Sequence, residues 1–228
     1  MVGFKRSDIN PANQREATYG QAVMMLSAQP VTRGNIDKSV KLFQAVIQAN
    51  PSDDMGISAQ YFLGRVEQAH RFELNPQGAI AIYKELYRKY PEHPLVQRAF
   101  VKLVLLSLYD RITDTERASR FTAFEAAGSG LRDHDAIRDF HLLMAAACEK
   151  FGLGQEKRLG HLLAVDSVGV SKADTKAVLL VSIGEVARKL RHKDLALTYY
   201  RRFLKECHRD YRVYTVEQRI AELEMEPQ

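Results

Sequence analysis

The chain has 228 residues, 46% of them hydrophobic and none of them Trp, with 33 Lys and Arg against 28 Asp and Glu. That length can bury a substantial core as one domain or two small ones, and no run of about 18 apolar residues exists to cross a membrane as a helix. Residues Met1 to Ser7 are polar and lack the apolar stretch of a signal peptide, and Cys148 and Cys207 show no CxxC pairing, so a disulfide framework and a cysteine zinc site are both unsupported.

In chain order the punctuation predicts helices almost throughout. Pro30 cuts a first helix short, and Asn50-Pro51 closes a second that starts near Gly34 and Asn35. Asn75 can cap the helix that follows, with Pro76 at its first position, and Tyr90-Pro91 ends it; Pro94 opens the next. Thr113-x-x-Glu116 and Ser171-x-x-Asp174 read as capping boxes, and Gly128 and Gly152 as residues just past helix ends. Val165 to Val170 is β-like and falls in a connection, and residues 211–224 form a terminal helix.

These helices repeat. Leu63-Gly64, Leu103-Val104, Leu143-Met144 and Ile183-Gly184 recur at intervals of 40, and one period earlier the same register falls on Val23-Met24. A second series of small residues runs through Ser39, Ala79, Ala118 and Ala196, with an aromatic four residues on at Phe43, Tyr83 and Tyr200. Spacings of three and four place each set on one helical face, so every period holds two helices, A and B.

The last period, Leu180-x-x-Ile183-Gly184-x-x-Ala187 then Ala196-x-x-x-Tyr200-x-x-Phe203, resembles a tetratricopeptide repeat. Leu63-Gly64, Ala79, Tyr83, Leu86 and Pro91 match with three extra residues in the A–B turn, while the third and fourth periods share only the spacing. Tyr87-x-x-Tyr90-Pro91-x-His93-Pro94 is similar to the inter-repeat joint of bacterial envelope repeat proteins. The resemblance implies an all-α fold: a right-handed α-solenoid of about five helical hairpins with a C-terminal capping helix. Residues 1–228 would form one domain with units at about 11–51, 55–91, 94–128, 133–165 and 171–209.

Such solenoids imply a concave groove lined by A helices that holds a peptide or helix of a protein partner. Transferred by position, the inward residues are Tyr61, Arg65 and Gln68 in the second unit and Tyr109 in the third. His141 follows in the fourth and Glu185 and Arg188 in the fifth, with Arg98 and Arg138 near the same surface. Ala145 and Cys148 occupy equivalent positions. The family's chaperone-binding clamp needs Lys and Asn where this chain has Gln21 and Met25, or Tyr61 and Arg65, so no clamp is expected.

The charge is uneven: residues 1–185 carry +2, residues 186–212 carry +6 and residues 213–228 carry −3. Lys189, Arg191, Lys193, Arg201, Arg202 and Lys205 form a basic patch that supports an alternative, a nucleic-acid-associated repeat protein. The seven histidines form no HExxH, and the glycines no phosphate-binding loop, so no metal, cofactor or catalytic residue is expected. The favoured reading is a non-catalytic interaction scaffold with an unidentified protein partner, and with self-association through solenoid ends as a further mode. The compartment is cytoplasmic by default, or envelope-associated if a leader or anchor was removed.

Overall fold

The structure, a computed structural model, describes residues 10–225; the polar N-terminal stretch read above lies outside them. Among the described residues there are eleven α-helices and no strand: α1 (Pro11–Ser27), α2 (Arg33–Ala49), α3 (Asp54–Arg65), α4 (Pro76–Lys89), α5 (Pro94–Leu108), α6 (Asp114–Gly128), α7 (His134–Phe151), α8 (Gln155–Val168), α9 (Ala173–Lys189), α10 (Lys193–Glu206) and α11 (Val213–Met225). They form two compact units, Met1–Asp110 and Arg111–Gln228, so the boundary falls between α5 and α6, where the repeat signature is faint.

Caps start most of these helices. Asp53 accepts from the amide of Gly56 at 2.8 Å, Asn75 from Gly78 at 3.0 Å and Asp133 from Ala136 at 2.8 Å, each satisfying an N–H that the helix leaves unpaired. His93 caps α5 through Nδ1, which accepts from Leu95. Thr113 caps α6 as expected, but the side chain of Glu116 turns to Arg120 instead of closing the box. The Ser171 box is not made: α9 starts after Lys172, with no side-chain cap.

In the first unit α1 to α5 pack in succession, each on the next. Contrary to expectation, α1 is a full 17 residues, because it ends at Ser27, ahead of Pro30. Its register also differs from the period of 40: Ala22 and Leu26 are buried, whereas Met24 is 68% exposed. The small side chain of Ala22 lets α2 approach closely enough for the Ser39 hydroxyl to donate to the Ala22 carbonyl at 2.8 Å. Phe43 stacks on Phe62 at 5.4 Å between ring centroids, which joins the first hairpin to the second. The three extra residues after α3 are taken up by a π-helical turn, Val66–His70, and the loop that follows it.

In the second unit α7 packs with α8, α8 with α9, α9 with α10 and α10 with α11, while α6 rests on α7. The β-like residues near Val165 are helical, since α8 runs to Val168 and Val165 is buried in the core with Leu159 and Leu162. Gly128 is the last residue of α6 and not a left-handed cap; the Phe140 ring lies where its side chain would be. Gly152 does end α7 in the left-handed conformation, at φ 65°. The final helix α11 buries Val216 and Leu223 against α10 and turns its acidic residues outward.

The A-helix surface as candidate functional site

One packing device recurs in both units and builds the candidate site. Buried residues on α4 are Ala79, Tyr83 and Leu86, and on α10 they include Ala196, Tyr200 and Phe203, the same +4 and +7 spacing. Tyr83 lies on Gly64 of α3 and Tyr200 on Gly184 of α9, so closely that a Cβ at either glycine would stand 2.4 Å from a ring carbon. Each ring therefore passes across its A helix, and its hydroxyl reaches the side of that helix away from its own backbone. The fold is tetratricopeptide-like. It follows from glycine and tyrosine paired across two tetratricopeptide-like hairpins, where the repeat places its small and aromatic positions.

Sequence comparison with family models and with curated proteins gives no match. Among solved structures the chain is similar to TTC0263, a thermophilic TPR protein of Thermus thermophilus, at 15% identity and a TM-score of 0.46, covering 93% of this chain and 100% of that one. It is also similar to MamA, at 14% identity and a TM-score of 0.48, covering 88% of this chain and 96% of that one.

In the first unit the Tyr83 hydroxyl donates to Gln68 Oε1 at 3.0 Å, and Arg65 donates to the same oxygen at 2.9 Å. The Tyr61 ring lies 6.1 Å from that of Tyr83, and burial raises the Tyr61 phenol against the opposing charges of Arg65 and Arg98. Arg65 and Gln68 thus meet at the Tyr83 hydroxyl with the Tyr61 ring beside them, and Arg98 is near enough to act on the Tyr61 phenol. Tyr109 is half-buried at the C-terminal end of α5, about three turns from Arg98.

In the second unit Tyr200 donates to Glu185 Oε1 at 2.7 Å and Arg188 donates to Glu185 Oε2 at 3.0 Å. Arg219 of α11 approaches the same carboxylate at 3.7 Å. Burial alone would raise the Glu185 carboxyl; the Tyr200 hydroxyl, Arg188 and Arg219 together outweigh it and hold it below the usual range. Arg65 and Gln68 thus correspond to Glu185 and Arg188 three periods on, so the same two positions carry the cluster with the cation moved from one to the other.

The other expected residues lie elsewhere. Arg138 is bound to Asp135 and Asp139 of its own helix, both at 2.8 Å. Ala145 and Cys148 are buried in the interior, 3% and 1% exposed, because α8 packs over that face of α7. His141 is half-buried and faces His161 of α8, with 2.9 Å between their Nδ1 atoms. Spacing alone does not pair them, since His161 stands where the following hairpin has Tyr200. Its Nε2 lies 3.4 Å from the Glu125 carboxylate of α6, buried and without a hydrogen-bond partner.

The basic patch is partly neutralised. Arg201 pairs with Glu224 at 2.7 Å, and Arg202 bridges Asp166 at 2.6 Å and Glu206 at 2.8 Å. Lys176 pairs with Glu206, and Tyr199 donates to Asp166 at 2.9 Å. A phosphate would have to displace carboxylates from both arginines. Lys189, Arg191 and Lys205 are exposed, and Lys193 is half-buried. No described helix is long and apolar enough to cross a membrane, and among the described residues no three His, Cys, Asp or Glu side chains gather as metal ligands.

Proposed function

We propose that this protein is a non-catalytic scaffold that binds a peptide or helix of a protein partner on the A-helix surface of its units. The observation that supports it is the recurrence, at the end of α3 with the turn that follows it and on α9, of an arginine and an amide or carboxylate held in place by a tyrosine hydroxyl from the B helix. Pre-ordered polar side chains among half-buried aromatics lose little entropy on binding, and Tyr and Arg supply most anchoring energy in protein interfaces. Tyr61, Arg65, Gln68 and Arg98 form the proposed contact set of the first unit, and Glu185 and Arg188 that of the second; Tyr109 and His141 are included by repeat position alone, and Arg138 joins only if a partner carboxylate replaces its own. A nucleic-acid role for Lys189, Arg191 and Lys205 has no supporting observation beyond their charge.

The test is a nuclease-treated pull-down from the source organism with wild type and an Arg65→Glu/Arg188→Glu variant side by side. A protein retained by wild type and lost by the variant is the expected result, followed by titration of the purified partner. Retention of nothing proteinaceous, or equal retention by both, overturns the proposal.

A further inference from the structure

The turn between α3 and α4 departs from the repeat, and it opens a cavity of about 640 Å³ in the first unit. The departure is held in place by one side chain. Glu67 binds Arg71 at 2.7 Å and the Asn75 side chain at 3.0 Å, while the Asn75 backbone amide donates to the Glu67 carbonyl at 2.9 Å. The loop between them is thereby tied at both ends, and it lifts Phe72 and Leu74 into solvent, 58% and 60% exposed. By contrast, the corresponding turn between α9 and α10 is tight, with the His192 backbone amide donating to the Ala187 carbonyl at 2.9 Å.

The cavity has an apolar floor and a charged rim. The rim holds three carboxylates, Asp37, Glu67 and Glu73, and two guanidinium groups, Arg33 and Arg71, of which Arg71 is taken by Glu67. Ile36 of α2, Ile82 of α4 and Phe72 line it, and Arg33 covers one face of the Phe72 ring at 5.3 Å from the centroid. Asp37 and Glu73 also line it, and among the described residues neither is joined to a cation. Glu67 lies two residues from Arg65, about 200° round the helix, so this surface is separate from the A-helix cluster.

A loop that exposes two large apolar side chains marks a contact site. Asp37 and Glu73 outnumber Arg33, whose guanidinium lies over the Phe72 ring, so the edge favours a basic partner. We propose that this cavity docks a basic amphipathic peptide segment, one apolar side chain entering between Ile36, Phe72 and Ile82 while flanking Lys or Arg side chains pair with Asp37 and Glu73. It is a second docking surface, and it does not depend on the role of Arg65 and Arg188.

The experiment is selection of a random 12-residue peptide library displayed on phage against the full chain, with binders to an Asp37→Lys/Glu73→Lys variant subtracted. Enriched peptides are expected to combine an apolar residue with neighbouring Lys or Arg. By fluorescence anisotropy they should lose about tenfold or more in affinity to that variant and to Phe72→Ser, while keeping it towards Arg65→Glu. All substituted positions are exposed or half-buried, and circular dichroism of each variant confirms its fold. No enrichment after subtraction, enrichment of acidic or uncharged peptides, or loss of binding only with Arg65→Glu overturns the proposal.

Discussion

Replacing Gly184 by Ala tests the packing that builds the Glu185 cluster of the second unit. In an open helical position the change should stabilise, because Ala is favoured over Gly by about 1 kcal/mol. At Gly184 the added Cβ would stand 2.4 Å from Cε1 and 2.6 Å from Cδ1 of Tyr200, a ring with no exposure. The ring cannot swing away without breaking its 2.7 Å hydrogen bond to Glu185. Overpacking of this kind costs about 3 kcal/mol at the upper end of its range, so the net expectation is a loss of about 2 kcal/mol. Gly160 supplies the control: it is an exposed position of α8 in the same unit, with nothing within 4 Å of a Cβ, so Gly160→Ala should gain about 1 kcal/mol. Urea denaturation followed by circular dichroism reads both on the unfolding of one unit. The reasoning is refuted if Gly184→Ala is as stable as wild type, or if both alanines shift stability in the same direction.

Removing the Tyr200 hydroxyl as Tyr200→Phe should cost about 2 kcal/mol, since its acceptor is a charged and half-buried carboxylate. The Glu185 carboxyl should titrate at higher pH in that variant, read by NMR of the labelled side chain; an unmoved titration would contradict the assignment. Arg15 of α1 donates to the carbonyls of Val46 at 3.2 Å and Asn50 at 2.7 Å and to Asp53 Oδ1 at 2.8 Å, joining α1 to the end of α2 and the start of α3. Arg15→Ala should destabilise the first unit by about 3 kcal/mol, and Arg15→Lys should restore less than half, because an ammonium cannot span the three acceptors; full rescue by Lys would refute this. Burial and the neighbouring His141 push His161 down to about 4, while Glu125 opposes and Lys157 assists. A base depressed on folding is protonated first in the unfolded chain, so stability present above about pH 6.5 declines as pH falls towards 4, by about 3 kcal/mol for this group. His161→Phe should flatten the pH dependence of the urea midpoint by that amount; parallel pH profiles for the two proteins would count against it.

Part of the molecule could be read from spacing. The period of 40, the caps at Asn75 and Thr113 and the Leu-Gly and Ala-Tyr series depend on neighbours within a turn or two, and such relations are written directly in a sequence. Register in α1 was not legible, because Ala22 is chosen by the approach of Ser39 from another helix and not by its own neighbours. Tyr83 and Tyr200 could be placed as packing residues, but not their hydroxyls as the anchors of Gln68 and Glu185. Those contacts follow from how closely the glycines let two helices cross.

The sequence alone therefore determined an all-helical chain of repeated hairpins and the interior positions of α4 and α10, since periodicity and capping are local. Only the tertiary structure decided which polar side chains meet. Arg138 is taken by its own acids, His141 by His161, and Arg201 and Arg202 by carboxylates of α11, α8 and α10. The cavity at Phe72 likewise exists because Glu67 can reach both Arg71 and Asn75, a coincidence of distance across a turn that no repeat pattern specifies.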